Sequence, residues 1–123
     1  MNTTMHFGVW NLRGLNDPLK QREAKLFIKN NKVSLVGLLE HKVKEINVKR
    51  ILNFICPHWH FAHNYKSAHL GRILVCWDPH ILSVNVLNQS SQYIHCEVQS
   101  IQTGLLFLTT FVYGANDYIF FFG

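Results

Sequence analysis

Cysteine, acid and long apolar runs are what this chain has least of, and each shortage excludes something. The three cysteines, Cys56, Cys76 and Cys96, are odd in number, far apart and form no Cys-x-x-Cys pair. They offer no disulfide framework, so each reads as a small buried apolar residue in a reducing intracellular setting, nucleus or cytoplasm. No stretch approaches ~20 uninterrupted apolar residues, so no membrane-spanning helix is expected and no membrane partner. The start, Met1 to His6, has neither the basic nor the apolar part of a signal peptide. Repeats, low-complexity tracts and linkers are lacking too. Acidic residues number seven against twelve Lys and Arg, which leaves a formal charge of +5. That imbalance suits a phosphate-rich partner, because neutralising phosphates releases condensed counterions, although many basic proteins bind no nucleic acid.

What is present is a core. Hydrophobic residues make up 48% of the 123 positions and charged residues 15%, the balance of one small folded domain. Phe7 to Leu12 is short and apolar, is bounded by Gly14, and reads as a buried strand. Asp17-Pro18 makes a helix start, with Asp17 as cap and Pro18 at the first position. Ala24, Phe27 and Ile28 follow at helical spacing, with Lys20, Arg22, Lys25 and Lys29 placed toward solvent. Asn30-Asn31 reads as the stop, because Asn tolerates a left-handed helix end.

Val33 to Leu39 is nearly continuous in apolar residues, as a strand covered on both faces would be, and it delivers Glu40 at its end. A second helix is expected over Glu45 to Ile55, with Val48, Ile51, Leu52 and Ile55 on one stripe and Pro57 forbidding continuation. Short β-branched or aromatic runs follow at His60–Tyr65, Arg72–Trp77, Ile81–Leu87, Tyr93–Val98 and Leu105–Tyr113. Close spacing and short turns predict an antiparallel meander. The fold class is therefore α+β, a layered sheet-and-helix domain. Tyr118 to Gly123 is an apolar tail with no turn, cap or charge to close it, and reads as truncation or a shifted reading frame.

Asn11, Glu40, Tyr113 and Asn116 stand at the ends of apolar strands, where a rigid scaffold points side chains into a shared site. A lone carboxylate ending a strand of Val, Leu and Gly fits a hard cation such as Mg²⁺; it fits equally a strand that simply reaches water there.

Four segments carry more than composition. Trp10-Asn11-Leu12-Arg13-Gly14-Leu15-Asn16-Asp17-Pro18, Val36-Gly37-Leu38-Leu39-Glu40, Gly71-Arg72-Ile73 and Phe111-Val112-Tyr113-Gly114-Ala115-Asn116 occur in this order. In order and spacing they resemble successive motifs of the endonuclease/exonuclease/phosphatase superfamily, most closely the endonuclease domain of plant LINE-type retrotransposons. The likeness extends over residues 1–118, with 119–123 left as an unrelated or truncated tail. It implies the N-terminal half of a four-layer αββα nuclease sandwich and a Mg²⁺-dependent DNA phosphodiesterase. Asn11 would order the active-site network, Glu40 would bind Mg²⁺, Tyr113 would lie near the phosphate, and Asn116 would close the Tyr-x-x-Asn turn. Arg13 stands where many relatives carry Asp or Asn, and His41 where Thr is usual.

The resemblance also implies a second half that supplies an Asp-x-Asn pair and a C-terminal His element. After Tyr113 this sequence has one Asp, Asp117, and no His. The expectation is an incomplete, inactive relic of the nuclease. The alternative is a small basic nucleic-acid-binding or interaction protein that reuses the half-domain.

Weaker signals have plainer readings. Cys56-x-His58-x-His60-x-x-His63 is the densest run among the eight histidines, but it crosses Pro57 into a strand and fits surface or half-buried imidazoles better than zinc. Lys42, Lys44, Lys49 and Arg50 read as a solvated face, and Trp10, Trp59 and Trp77 as core. In the whole family each half contributes one sheet. Alternate residues of Ile73–Trp77, Val84–Leu87 and Leu105–Val112 are thus expected to form an unpartnered apolar face, with self-association, aggregation or degradation as the result.

Overall fold

The computed structural model describes residues 6–66 and 73–113, together with the backbone of 119–122. The elements run β1 (His6–Asn11), α1 (Pro18–Asn30), β2 (Val33–Leu39), α2 (Glu45–Ile55), β3 (His60–His63), β4 (Ile73–Trp77), β5 (Leu82–Gln89), β6 (Tyr93–Ser100), β7 (Leu106–Val112) and β8 (Ile119–Phe122). They form two four-stranded sheets, ordered β1-β2-β4-β3 and β5-β6-β7-β8.

Parallel pairing of β1 with β2 requires a crossover, which α1 supplies. Asp17 accepts the Leu19 N–H at 2.9 Å and opens that helix as expected. The helix stops at Asn30-Asn31 as expected, but without the left-handed residue expected there. Asn31 keeps φ −101° and uses its side-chain amide to bond the Phe27 carbonyl at 2.9 Å. The left-handed position falls instead on Lys32, with φ 51°. Lys20 is not a solvent residue either; its Nζ donates to the Leu12 carbonyl at 3.0 Å and ties α1 to the loop after β1.

β2 is buried at every residue because it has cover on both faces. On one face Val36 and Leu38 meet Ala24 and Ile28 of α1 and Val48, Ile51, Leu52 and Ile55 of α2. On the other, Leu35 and Leu39, with Ile73 and Val75 of β4, meet Ile94, Cys96, Val98 and Phe111 of the second sheet. The architecture is α+β and layered, with helices on sheet on sheet.

The expected meander divides. β3 and β4 join the first sheet, and a turn at Asp78 carries the chain to the second: the Asp78 N–H bonds to Ser34 O at 2.9 Å and the Leu82 N–H to Asp78 O at 3.0 Å. This overturns the unpartnered face. Ile73–Trp77 is wholly buried, because the chain builds its own covering sheet, and the case for self-association through that face falls with it. The outward side of the second sheet is instead mixed, with Tyr93, His95, Glu97 and Gln99 alternating against the buried Ile94, Cys96 and Val98. Residues Ile119–Phe122, set apart as a tail, pair antiparallel with β7. All three cysteines are free and buried. Among the described residues no helix is long and apolar enough to cross a membrane.

Candidate active site

Asn11 ends β1 opposite Leu39, and Glu40 is the next residue after β2. Neighbouring parallel strands lie ~4.8 Å apart, so the two polar residues emerge side by side at one edge. Both are partly buried. The loops beyond them run together: the Leu12 N–H bonds to Leu39 O at 3.1 Å, Gly14 to Glu40 O at 2.9 Å and Leu15 to His41 O at 2.7 Å. Asn11 Oδ1 accepts the Arg13 N–H at 3.3 Å.

Backbone strain concentrates here. Arg13, Glu40 and Lys42 take left-handed φ of 50°, 54° and 58°, and Gly14 takes 116°. A left-handed non-glycine residue costs of order 1–3 kcal/mol and persists where its surroundings impose it, as at functional sites. Gly14 is the one position in this group that meets the requirement without a side chain.

Tyr113 follows β7 and reaches the same end through a chain of bonds. Ile73, paired with Leu39, donates its N–H to Asn64 Oδ1 at 3.2 Å. Asn64 Nδ2 donates to Ser90 O at 3.1 Å, and the Tyr113 N–H bonds to Gln92 O at 2.7 Å. Tyr113 is partly buried against the inter-sheet core, and Phe7, Val9 and Asn11 alternate toward that same layer. The spacing of the layers is set by Gly37, three residues before Glu40: a Cβ there would lie 2.4 Å from Phe111 Cδ1. Phe111 therefore fills the notch that Gly37 leaves, two residues before Tyr113. Asn116 lies outside the described residues, as do Gly71 and Arg72. Asn11, Glu40 and Tyr113 are thus gathered at one end of the two sheets.

Sequence reasoning missed the support beneath them. His41 is fully buried, its Nδ1 accepts the Val43 N–H at 3.1 Å, and its ring meets Tyr65 edge-on at 6.0 Å. An imidazole that accepts at Nδ1 carries its proton at Nε2, and that atom has no partner among the described residues. Burial, and then nearby His63, hold the His41 pKa down to about 4, so the ring is neutral. The Tyr65 hydroxyl donates to the Val43 carbonyl, and burial, then the charge of Glu45, push its pKa well up. Asn64, also fully buried, clips the first sheet to the β5–β6 turn. In sequence it sits in an unremarked His-Asn-Tyr-Lys run; only its fixed position next to Ile73 reveals its use.

The basic residues split between two places. Exposed Lys42 and Lys44 flank the loop after Glu40, whereas Lys49 and Arg50 lie farther along α2 and line a concavity there. The His/Cys run is dispersed: Cys56 caps α2, His58 is exposed, His60 meets Trp77 edge-on and His63 lies 3.7 Å from Glu45. No protein-family model matches the chain, and no curated protein matches it.

Proposed function

We propose that these residues form the metal-carboxylate half of an endonuclease/exonuclease/phosphatase-type domain of the LINE-retrotransposon kind, and that they do not cut DNA by themselves. The observation that supports this reading is the edge where Asn11 and Glu40 emerge together from a parallel strand pair, with strained backbone on both loops. Among the described residues no group of three His, Cys, Asp or Glu side chains is placed to hold a metal. One carboxylate is still enough for a weakly held Mg²⁺, which keeps several waters and is completed by substrate phosphates.

Bound there, Mg²⁺ would supply charge neutralisation at the scissile phosphate. The chain's own parts are simple. Glu40 would hold the cation, Asn11 fixes the loop that carries Arg13, and the Tyr113 hydroxyl would donate toward a phosphate oxygen. His41 stays neutral beneath them and adds no charge to compete with the cation. What these 123 residues do not supply is the Asp-x-Asn pair or a His beyond Tyr113. Each absent proton-transfer or charge-stabilising group forfeits ~10²-fold or more in rate, so binding without turnover is the outcome.

Mn²⁺, used as a paramagnetic stand-in, should broaden the backbone amide signals of residues 11–14 and 40–42, and Glu40→Ala should abolish the effect. Supercoiled plasmid with Mg²⁺ should stay intact. Broadening that survives Glu40→Ala would remove the metal site, and nicking that Glu40→Ala abolishes would overturn inactivity.

A second reading is a small basic nucleic-acid-binding module, favoured by the placement of Lys49 and Arg50 beside Trp59. DNA binding that weakens steeply with salt and ignores Glu40→Ala would select it over the first.

A further inference from the structure

The middle and last turn of α2 carry a second concavity. It begins at Lys49, four residues and roughly 6 Å of helix rise beyond the Glu45 start of α2, and runs to the turn that follows the helix. Its volume is about 490 Å³, and its wall includes Lys49, Arg50, Asn53, His58, Trp59 and Phe61. None of the lining residues is acidic.

Local structure explains the grouping. Lys49 and Asn53 are one helical turn apart, and with Arg50 they project from the exposed side of α2. Pro57 stops the helix, and the Trp59 N–H bonds to Cys56 O at 3.2 Å to close the turn. His58, at its tip, takes a left-handed φ of 68°. Trp59 and Phe61 alternate toward the helices and pack against the core beneath α2, so their rings are held in place. A smaller hollow of about 280 Å³ adjoins the first and shares Lys49 and Phe61 with it. Glu45 lines that hollow, 3.7 Å from His63.

Fixed aromatic walls under an ammonium, a guanidinium, an amide and an imidazole suit one chemistry. A bare phosphate would leave the rings unused, and a lipid tail would strand the cations. A nucleobase that carries its phosphate uses both, with the base against the rings and the phosphate at Lys49 and Arg50. We infer that this concavity is a binding site for a phosphate-linked nucleobase, supplied by a single strand or a free nucleotide. The site rests on the nucleic-acid-binding reading and not on Glu40.

The test uses a fluorescein-labelled DNA single strand of about ten nucleotides, within the span such sites cover, and AMP as the free nucleotide. Lys49→Gln/Arg50→Gln, at exposed positions that do not endanger folding, should weaken strand binding ~10-fold or more and flatten its dependence on log salt by about 1–2. Trp59→Leu should weaken it ~5-fold or more, and the Trp59 indole N–H NMR signal should move with both ligands. Lys29→Gln, at an exposed position on α1 away from the concavity, should change neither. A strand bound far more tightly than AMP assigns the polymer, and parity per nucleotide assigns the free compound; both support the site. Strand binding indifferent to Lys49→Gln/Arg50→Gln overturns it. So does a still Trp59 signal with polyglutamate competing equally, which would mark a plain electrostatic surface. Absence of any binding at low salt removes the nucleic-acid reading together with it.

Discussion

A buried imidazole under the strand edge couples this fold to pH. Among the described residues the His41 ring makes one hydrogen bond, at Nδ1, and is enclosed with Tyr65 beside it. Its pKa falls from 6.5 to about 4 through burial and, less, His63. Above pH 6.5 the ring is neutral in folded and unfolded chains alike, and the contribution is whole. As pH falls from 6.5 toward 4, the unfolded chain takes a proton that the folded one refuses, so stability declines through that window and levels off below it. At ~1.4 kcal/mol per pH unit, the loss amounts to about 3 kcal/mol. Urea midpoints measured from neutral to acid pH should drop for the wild type, and His41→Gln should flatten the part of the slope that lies above the carboxylate range. Equal slopes for the two proteins would show that His41 is not the group responsible. Asn64 acts at the same scale: one side chain satisfies Ile73 and Ser90 at once, and buried polar groups are retained only when so bonded.

At the scale of elements, the two sheets are held at one separation by Gly37 and Phe111. A Cβ on residue 37 would stand 2.4 Å and 2.8 Å from two Phe111 ring atoms, closer than packing allows. Phe111 is wholly buried and has no room to swing aside. Gly37→Ala should therefore cost about 1–3 kcal/mol, the range for overpacking a core. Adding Phe111→Leu should give back part of that cost, and additive losses in the double mutant would show that the contact does not set the spacing. Much of the element pattern was legible beforehand. The Val33–Leu39 run, the Asp17-Pro18 start and the Val48, Ile51, Leu52, Ile55 stripe are local signals, and the structure follows each. The stop at Asn30-Asn31 was legible too, but not its form: a side-chain bond from Asn31 to Phe27 replaces the left-handed cap, a choice that depends on geometry rather than residue type.

For the molecule as a whole, the first sheet is the shared partner of both apolar layers. Helices cover one side of it and the second sheet the other, so neither layer can open without exposing β2 and β4. Unfolding in urea should accordingly be one transition, with tryptophan fluorescence and far-ultraviolet circular dichroism tracing the same curve. Separated midpoints would mean that the layers melt independently. The sequence by itself determined the elements, the α+β class and the polar strand ends Asn11, Glu40 and Tyr113, because capping, periodicity and chain breaks are read from near neighbours. Only the tertiary structure decided that β4 and β5 belong to different sheets, that Asn64 and His41 brace the edge, and that Lys49 and Arg50 share a concavity with Trp59. Those outcomes depend on which surfaces remain to be buried after each element has formed. Pairing across long sequence distance answers that question, and no local pattern encodes it.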